Sequence, residues 1–194
     1  SLQFPHCCKV RSITIFILGT LFSNIVCREG SGGALSVSYC TYVIILQCTF
    51  SHNQIEEHGG AVWIHSANHV KIYKSDFVGQ VSGVHGSVFY CSNVLHVLIM
   101  GCQFTNNTAN SEASCIYIYS TNIVISVHVA NVSLISNIAF KGAGGSKLNR
   151  VNNFRLLNSL FHANIAVLGS GGVVYLYNFK NITMLRTSYT STSI

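Results

Sequence analysis

The chain has 194 residues, of which 49% are hydrophobic and 8% are charged, a composition that supports a sizeable core and excludes an intrinsically disordered chain. Its formal net charge of +6 comes from eleven Lys and Arg residues that are scattered without a run, which argues against a nucleic-acid partner. With so few ions, Ser, Thr, Asn and Tyr must cover most of the surface, which is unusual for a soluble enzyme.

The first apolar run along the chain covers residues 13–22 and follows Lys9 and Arg11. Its ten residues are too few to span a bilayer, so we expect no membrane span in this segment. The run also suits the apolar region of a secretory signal within residues 9–23. Because the repeat described next assigns the run to a strand, we favour the strand. The sequence begins at Ser1 without Met, and we expect a fragment of a longer protein.

An aromatic or aliphatic residue recurs along the whole chain and anchors an imperfect repeat. Successive anchors are separated by roughly 27 to 30 residues, a period within the range of solenoid repeats. The anchors are Phe22, Phe50, Phe77, Phe104, Leu134, Phe161 and Tyr189. They predict about seven stacked coils of about 27 residues each, in a single repeat domain that covers residues 1–194.

Each anchor closes a segment that has the side-chain alternation of a β-strand. The residues seven and five positions before every anchor are apolar, as Val70 and Ile72 are before Phe77. The position between them is mixed and is occupied by Lys71 in this coil. A period of two directs one set of side chains inward and the other outward, and no segment sustains helical spacing. We therefore predict an all-β fold, a right-handed parallel β-helix whose coils stack about 4.8 Å apart.

A glycine or small residue opens an apolar stretch in each coil and keeps step with the anchors. These residues are Gly33, Gly60, Gly86, Ala113, Gly145 and Gly172. We interpret them as structural, because glycine permits the restricted backbone conformations of a corner. The long interval of both series falls between Thr121 and Gly145, so we predict one insertion within residues 121–145.

An amide side chain stands three residues after most of the anchors. These amides are Asn53, Gln80, Asn107, Asn137 and Asn164. Stacking of the coils would align them at one turn. We predict a structural ladder there that satisfies backbone groups, rather than a ligand site.

Two tetrapeptide motifs alternate along nearly the whole chain. One is Gly-Gly-Ala-Leu, Gly-Gly-Ala-Val or Gly-Gly-Val-Val, and its copies begin at Gly32, Gly59 and Gly171. The other is Phe-x-x-Asn, and its copies begin at Phe50, Phe104 and Phe161. The alternation resembles the repeats of chlamydial polymorphic outer membrane proteins and, more broadly, those of pectin-lyase-like right-handed β-helix proteins. The resemblance to the chlamydial proteins implies a surface adhesin.

The eight cysteines and nine histidines lack the spacing of a metal site, and no Cys-x-x-Cys occurs. Cys48 and Cys102 fall in one interior column two coils apart, roughly 9 to 10 Å, which is beyond disulfide reach, so we predict free thiols. His69 and His96 each stand eight residues before an anchor and are predicted to be neighbours on the outer face. We expect no metal and no cofactor.

Three glycosylation sequons, at Asn106, Asn131 and Asn181, fit an extracellular glycoprotein. We predict a non-enzymatic, surface-exposed or secreted interaction module, adhesin-like or structural, in which the sequence identifies no catalytic residue. Its expected partners are an unknown protein or glycan at a cell surface and the neighbouring repeats of the parent chain, not nucleic acid.

The alternative is a domain of a carbohydrate-active enzyme, a polysaccharide lyase, hydrolase or epimerase, because such enzymes share this fold. Its catalytic residues would then lie outside this segment or be degenerate in it. Glycosidases need paired carboxylates, and lyases of this fold use acidic calcium ligands with a basic residue. The acids here are few and scattered, namely Glu29, Glu56, Glu57, Asp76 and Glu112.

Overall fold

The computed structural model describes residues 9–10, 14–121, 125–168 and 171–190. These ranges contain strands, turns and loops but no helix, and so no helical segment that could cross a membrane. The strands are β1 Lys9–Val10, β2 Thr14–Leu18, β3 Leu21–Ser23, β4 Val26–Cys27, β5 Leu35–Leu46, β6 Thr49–Ser51, β7 Gln54–Ile55, β8 Val62–Tyr73, β9 Asp76–Val78, β10 Val81–Ser82, β11 Phe89–Ser92, β12 His96–Met100, β13 Gln103–Thr105, β14 Thr108–Glu112, β15 Ile116–Tyr119, β16 Ile125–Ala130, β17 Ser133–Ile135, β18 Ile138–Lys141, β19 Ser146–Asn149, β20 Val151–Leu157, β21 Leu160–His162, β22 Ile165–Ala166, β23 Val174–Tyr177, β24 Asn181–Leu185 and β25 Ser188–Thr190.

The strands form three sheets, in which all neighbouring strands are parallel. The long sheet has twelve strands, β1, β2, β5, β8, β11, β12, β15, β16, β19, β20, β23 and β24. The anchor sheet has seven strands, β3, β6, β9, β13, β17, β21 and β25, and the short sheet has six, β4, β7, β10, β14, β18 and β22. Each coil passes through the long, anchor and short sheets in turn. The fold is therefore a parallel β-solenoid of about six turns.

The interior is built from columns of like side chains, as the strand alternation predicts. Val70 and Ile72 are buried, whereas Lys71 between them is partly exposed on the outer face. Paired residues of neighbouring coils are one repeat length apart in most of the stack, as Phe50 and Phe77 are. Each coil thus adds the same side chains to the same columns, and the hydrophobic core runs along the solenoid axis.

The anchors form a stack of aromatic rings inside the anchor sheet. The ring centroids of Phe22 and Phe50 are 4.6 Å apart, those of Phe50 and Phe77 are 4.9 Å apart, and those of Phe77 and Phe104 are 5.2 Å apart. Leu134 takes the next place in register with Phe104, and Phe161 follows it. Parallel strands about 4.7–4.9 Å apart bring successive rings close to van der Waals contact.

Single residues with positive φ mark three of the corners of the coil. The first half of the long sheet contains β1, β11, β15, β19 and β23 with the starts of β5 and β8, and the second half contains β2, β12, β16, β20 and β24 with the ends of β5 and β8. Between the two halves stand Tyr39, Ser66, Asn93, Arg150 and Asn178, with φ from 53° to 59°. Before the anchor sheet stand Gly19, Gln47, Lys74, Gly101, Asn131, Asn158 and Arg186, and after it Asn24, His52, Gly79, Asn106, Ser136 and Ala163. One left-handed residue redirects an extended chain sharply, so corners of different sequence recur at the same place.

The Gly-Gly pairs form a fourth corner, before the first half of the long sheet. The first residue of the pair has positive φ, with values of 83° at Gly32 and 69° at Gly59, and Gly86 takes the same conformation with φ of 59°. Ala113 follows in the next coil, with φ of 58°. Glycine is favoured here because it carries no Cβ to clash in the left-handed region.

The glycine series read from the sequence does not follow a single column. The column of Gly33 and Gly60 continues through Ser87, Ser114, Gly144 and Gly172. Gly86 and Ala113 lie one position before this column, and Gly145 lies one position after it. Several small residues are adjacent at this corner, so a small residue alone does not fix the register.

The sequence separation between neighbouring coils changes once along the stack. Ser92 pairs with Tyr119 at the usual repeat length, whereas His96 pairs with Ser126, three positions further along than that length. The following coil returns to the usual length, with Ser126 paired to Asn153. The extra residues therefore fall between β15 and β16, at a corner that lies partly outside the described ranges.

Candidate functional site

The amide side chains of the turn are fully buried and join successive coils. Asn107 Nδ2 donates to the Phe77 carbonyl oxygen at 3.1 Å and to Asn137 Oδ1 at 2.9 Å, and Asn107 Oδ1 accepts from the Gln80 backbone N–H at 2.9 Å. Asn53 and Asn164 repeat the bond to an anchor carbonyl of the preceding coil. Gln80 differs, because its longer amide donates to Val78 in its own coil. These bonds hold the coils in register and leave the amides facing inward.

The cysteines of the described ranges occupy buried or half-buried positions as free thiols. Cys48 and Cys102 share one interior column with Ser75 between them, and the Ser75 hydroxyl accepts from the Cys48 backbone N–H at 3.1 Å. Burial raises the pKa of Cys102 to about 11 and that of Cys91 to about 12. Such thiols are poor nucleophiles and poor metal ligands. Cys7 and Cys8 lie outside the described residues.

The three sequon asparagines are all exposed. Asn106 and Asn131 stand at corners, with φ of 55° and 53°, where the chain turns away from the sheets. Asn181 lies in β24, and its Nδ2 donates to Asn153 Oδ1 at 2.9 Å. All three side chains are accessible at the surface.

The first half of the long sheet carries a column of aromatic residues on its outer face. Trp63, Tyr90 and Tyr117 are paired in successive coils, and the column continues with Lys147 and Tyr175. The parallel register places each side chain directly over the previous one. This half of the sheet therefore presents a row of rings along the axis.

Two histidines from the neighbouring turn extend this row into a patch. The ring centroids of His58 and His85 are 5.1 Å apart, and each ring also stacks on a tyrosine, His58 on Tyr90 at 4.6 Å and His85 on Tyr117 at 4.9 Å. Tyr90 and Tyr117 stack on each other at 5.2 Å. We call Trp63 and these four rings the aromatic patch.

One ion pair borders the aromatic patch. Lys147 Nζ lies 2.6 Å from Glu112 Oε1, and His85 Nδ1 lies 3.9 Å from Glu112 Oε2. Lys147 also lies over the Tyr117 ring, with Nζ 5.7 Å from the centroid. Burial lowers the pKa of His58 and of His85, although Glu57 and Glu112 partly oppose the shift. Both imidazoles are therefore neutral near pH 7 and stack as uncharged rings.

The second half of the long sheet carries histidine and basic side chains instead. His69 stacks on Tyr42 at 4.7 Å and on His96 at 4.9 Å, which confirms the predicted neighbourhood of the two histidines. The adjacent outward column contains Lys71, followed by Leu98, His128 and Arg155 in register. We call His69, Lys71, His96, His128 and Arg155 the basic row.

The carboxylates lie at several separate places on the surface. Glu112 is engaged by Lys147, Glu56 and Glu57 are adjacent and exposed after β7, and Asp76 is exposed on the anchor sheet. Within the described ranges, no group of three or more His, Cys, Asp or Glu side chains is placed to hold a metal ion.

The aromatic patch was not predicted from the sequence, although the repeat spacing of its residues indicates it. His58 and His85 are one repeat length apart, as are Trp63 and Tyr90, and Tyr90 and Tyr117. The same criterion identified His69 and His96. The spacing of the repeat applies to outward positions as well as inward ones, so it could have located the patch.

A scan against protein-family models finds no match, and searches of curated proteins and of solved structures find none either. The structure defines the chain as a parallel β-solenoid repeat protein, and the comparisons do not assign it to a family.

Proposed function

We propose that the chain is a non-enzymatic interaction module of an extracellular or cell-surface protein, and that the aromatic patch is its contact surface. One observation carries the proposal: five aromatic and imidazole rings are gathered on the outer face of the long sheet and on the turn beside it. Tyr and Trp are enriched where proteins make their strongest contacts. A protein or glycan at a cell surface fits such a patch.

The stacking prepares these rings for binding. Tyr90 lies between Tyr117 and His58, so its orientation is held before any partner arrives. A side chain that is already ordered loses less conformational entropy on association than a free one. Trp63, Tyr90 and both histidines remain partly exposed, while Tyr117 is buried as their support.

The extracellular setting is supported by the three exposed sequon asparagines, which would make the chain a glycoprotein in a eukaryotic secretory pathway. The alternating motifs that resemble chlamydial polymorphic outer membrane proteins and pectin-lyase-like proteins support an adhesin-like role. The distribution of carboxylates supports a binding role over hydrolysis, because Glu112 is paired with Lys147.

Adhesion of coated beads tests the proposal. Beads that carry the chain would be applied to immobilised fibronectin, laminin, collagen and neutral glycans. We expect that replacing Trp63 and Tyr90 with Ser, the residue found at Ser36 in the same column, lowers adhesion at least about tenfold, which corresponds to the loss of a modest hot spot.

The matched control is Phe140→Ser, which removes an exposed aromatic ring from the short sheet. Adhesion should not change in this variant. Equal adhesion of the double variant and the unmodified chain would refute the aromatic patch. Cleavage of polygalacturonate, alginate or xylan, with or without calcium, would refute the non-enzymatic function.

A further inference from the structure

The charges of the solenoid are segregated between its faces. The second half of the long sheet and its corners carry basic side chains, namely Lys71, Lys74, Arg150, Arg155 and Arg186, together with the histidines of the basic row. No acidic residue lies on the outer face of this half-sheet within the described ranges. Asp76 follows Lys74 around the corner, on the anchor sheet.

The remaining basic residues of the described ranges stand mostly beside acids. Lys147 pairs with Glu112, and Lys141 is in register with the same glutamate. Arg28 and Glu56 follow the paired residues Cys27 and Ile55 in neighbouring coils. Because acids there neutralise the basic residues beside them, the net positive potential is concentrated on the second half of the long sheet.

Lys71 and Arg155 lie in one column parallel to the solenoid axis, and the histidines of the basic row lie between and beside them. Lys71, His128 and Arg155 occupy one outward column, and His69 and His96 occupy the column beside it. Neighbouring coils are about 4.8 Å apart, so Lys71 and Arg155 are separated by three coil spacings, or about 14 Å. A linear polyanion laid along the axis would meet Lys71 and Arg155 three coil spacings apart, with Lys74 and Arg150 at the corners beside them.

We infer that the basic row binds a sulfated polysaccharide, a second ligand site on a different face from the aromatic patch. Sulfate groups accept charge-assisted hydrogen bonds from Arg and Lys and carry their charge at every physiological pH. The inference rests on the extracellular setting proposed above, where such polysaccharides occur, but not on the function of the aromatic patch.

The same surface is unsuited to nucleic acid. Single strands are held by bases that stack on free aromatic faces, and both faces of the His69 ring are covered, by Tyr42 and by His96. Duplex DNA is read by an element that projects into a groove, whereas this surface is the outer face of a parallel sheet. The geometry therefore favours a flexible glycan chain over a nucleic acid.

The test measures binding of the whole chain to immobilised heparin at several salt concentrations. We expect Lys71→Gln combined with Arg155→Gln to weaken binding at least about tenfold and to lower the slope of log Kd against log salt by about two, because two counterion-releasing contacts are lost. Both substitutions are at the surface, so the fold should persist.

The matched control is Arg28→Gln combined with Lys141→Gln, which removes the same charge from the face that carries the acids. It should bind heparin like the unmodified chain. Equal weakening in both double variants would overturn the inference, as would full competition by desulfated heparin or by single-stranded DNA. No binding of the unmodified chain to heparin would overturn it as well.

The two proposals can be tested independently of each other. The double variant Trp63→Ser, Tyr90→Ser should retain heparin binding, since these rings lie on the first half of the long sheet. If it does, a loss of bead adhesion is assigned to the aromatic patch alone. If heparin binding is also lost, the assignment of the polysaccharide to the basic row is refuted.

Discussion

Substitution of one anchor measures how much the interior stack stabilises the solenoid. Phe77 is fully buried, lies between the rings of Phe50 and Phe104, and meets Phe89 edge-on with centroids 4.7 Å apart. Deleting a buried Phe side chain costs about 3 to 5 kcal/mol, and each aromatic contact is worth about 0.5 to 1.5 kcal/mol beyond its burial. Because Phe77→Ala removes three ring contacts, we expect a loss of about 5 kcal/mol in the free energy of unfolding.

Equilibrium denaturation would measure this loss. Trp63 is the single tryptophan and lies one coil before Phe89, so its fluorescence reports on this part of the stack. Far-UV circular dichroism reports on the whole solenoid, and agreement of the two curves tests two-state unfolding. The neighbouring surface change Asp76→Ala should cost at most about 0.5 kcal/mol. Similar losses in the two variants would refute the assignment of inward and outward positions.

Three further perturbations test the turn, a corner and the histidines. Asn107→Ala removes the partners of the Phe77 carbonyl and the Gln80 N–H and should cost about 3 kcal/mol in the same denaturation assay. Its control Asn110→Ala, at an exposed position, should cost at most about 0.5 kcal/mol, and equal costs would contradict a structural ladder. Ala113→Gly should raise stability by about 1 kcal/mol, because φ is 58° there, and a lower denaturation midpoint would count against this account. Burial lowers the pKa of His85, so at acidic pH the unfolded chain binds more protons than the folded chain. The contribution of neutral His85 to stability is therefore fully present above about pH 6.5 and is lost as the pH falls below that value. In denaturation curves between about pH 7.5 and 5.5, His85→Phe should reduce this pH dependence while His52→Asn at an exposed corner retains it, and unchanged slopes in both variants would refute the role of His85.

The interior of the fold was predictable because the core imposes strict requirements on sequence. Every coil must supply an anchor and apolar residues five and seven positions earlier, so the period was visible at Phe50, Phe77 and Phe104. The amide positions were visible for the same reason, since a buried side chain at a turn must be polar and must find partners.

The corners and the outer face were less predictable. Positive φ is tolerated by residues as different as Tyr39, Lys74 and Arg150, so composition does not mark these corners. At the Gly-Gly corner, adjacent small residues left the register of Gly86 uncertain by one position. Outward residues vary from coil to coil because solvent accepts many side chains. The aromatic patch is therefore indicated only by the repeat spacing of His58 with His85 and of Tyr90 with Tyr117, and not by residue type alone.

The corner between β15 and β16 accepts additional residues without changing how neighbouring coils are aligned. Three additional residues enter there, yet the paired positions on both sides remain superposed, from Tyr119 with Asn149 to Ser126 with Asn153. A corner that absorbs an insertion in this way is a suitable place for grafting. A peptide epitope or a small domain inserted after Thr121 would be displayed beside the long sheet while the core kept its packing, which makes the solenoid a display scaffold whose cargo can change independently of its frame.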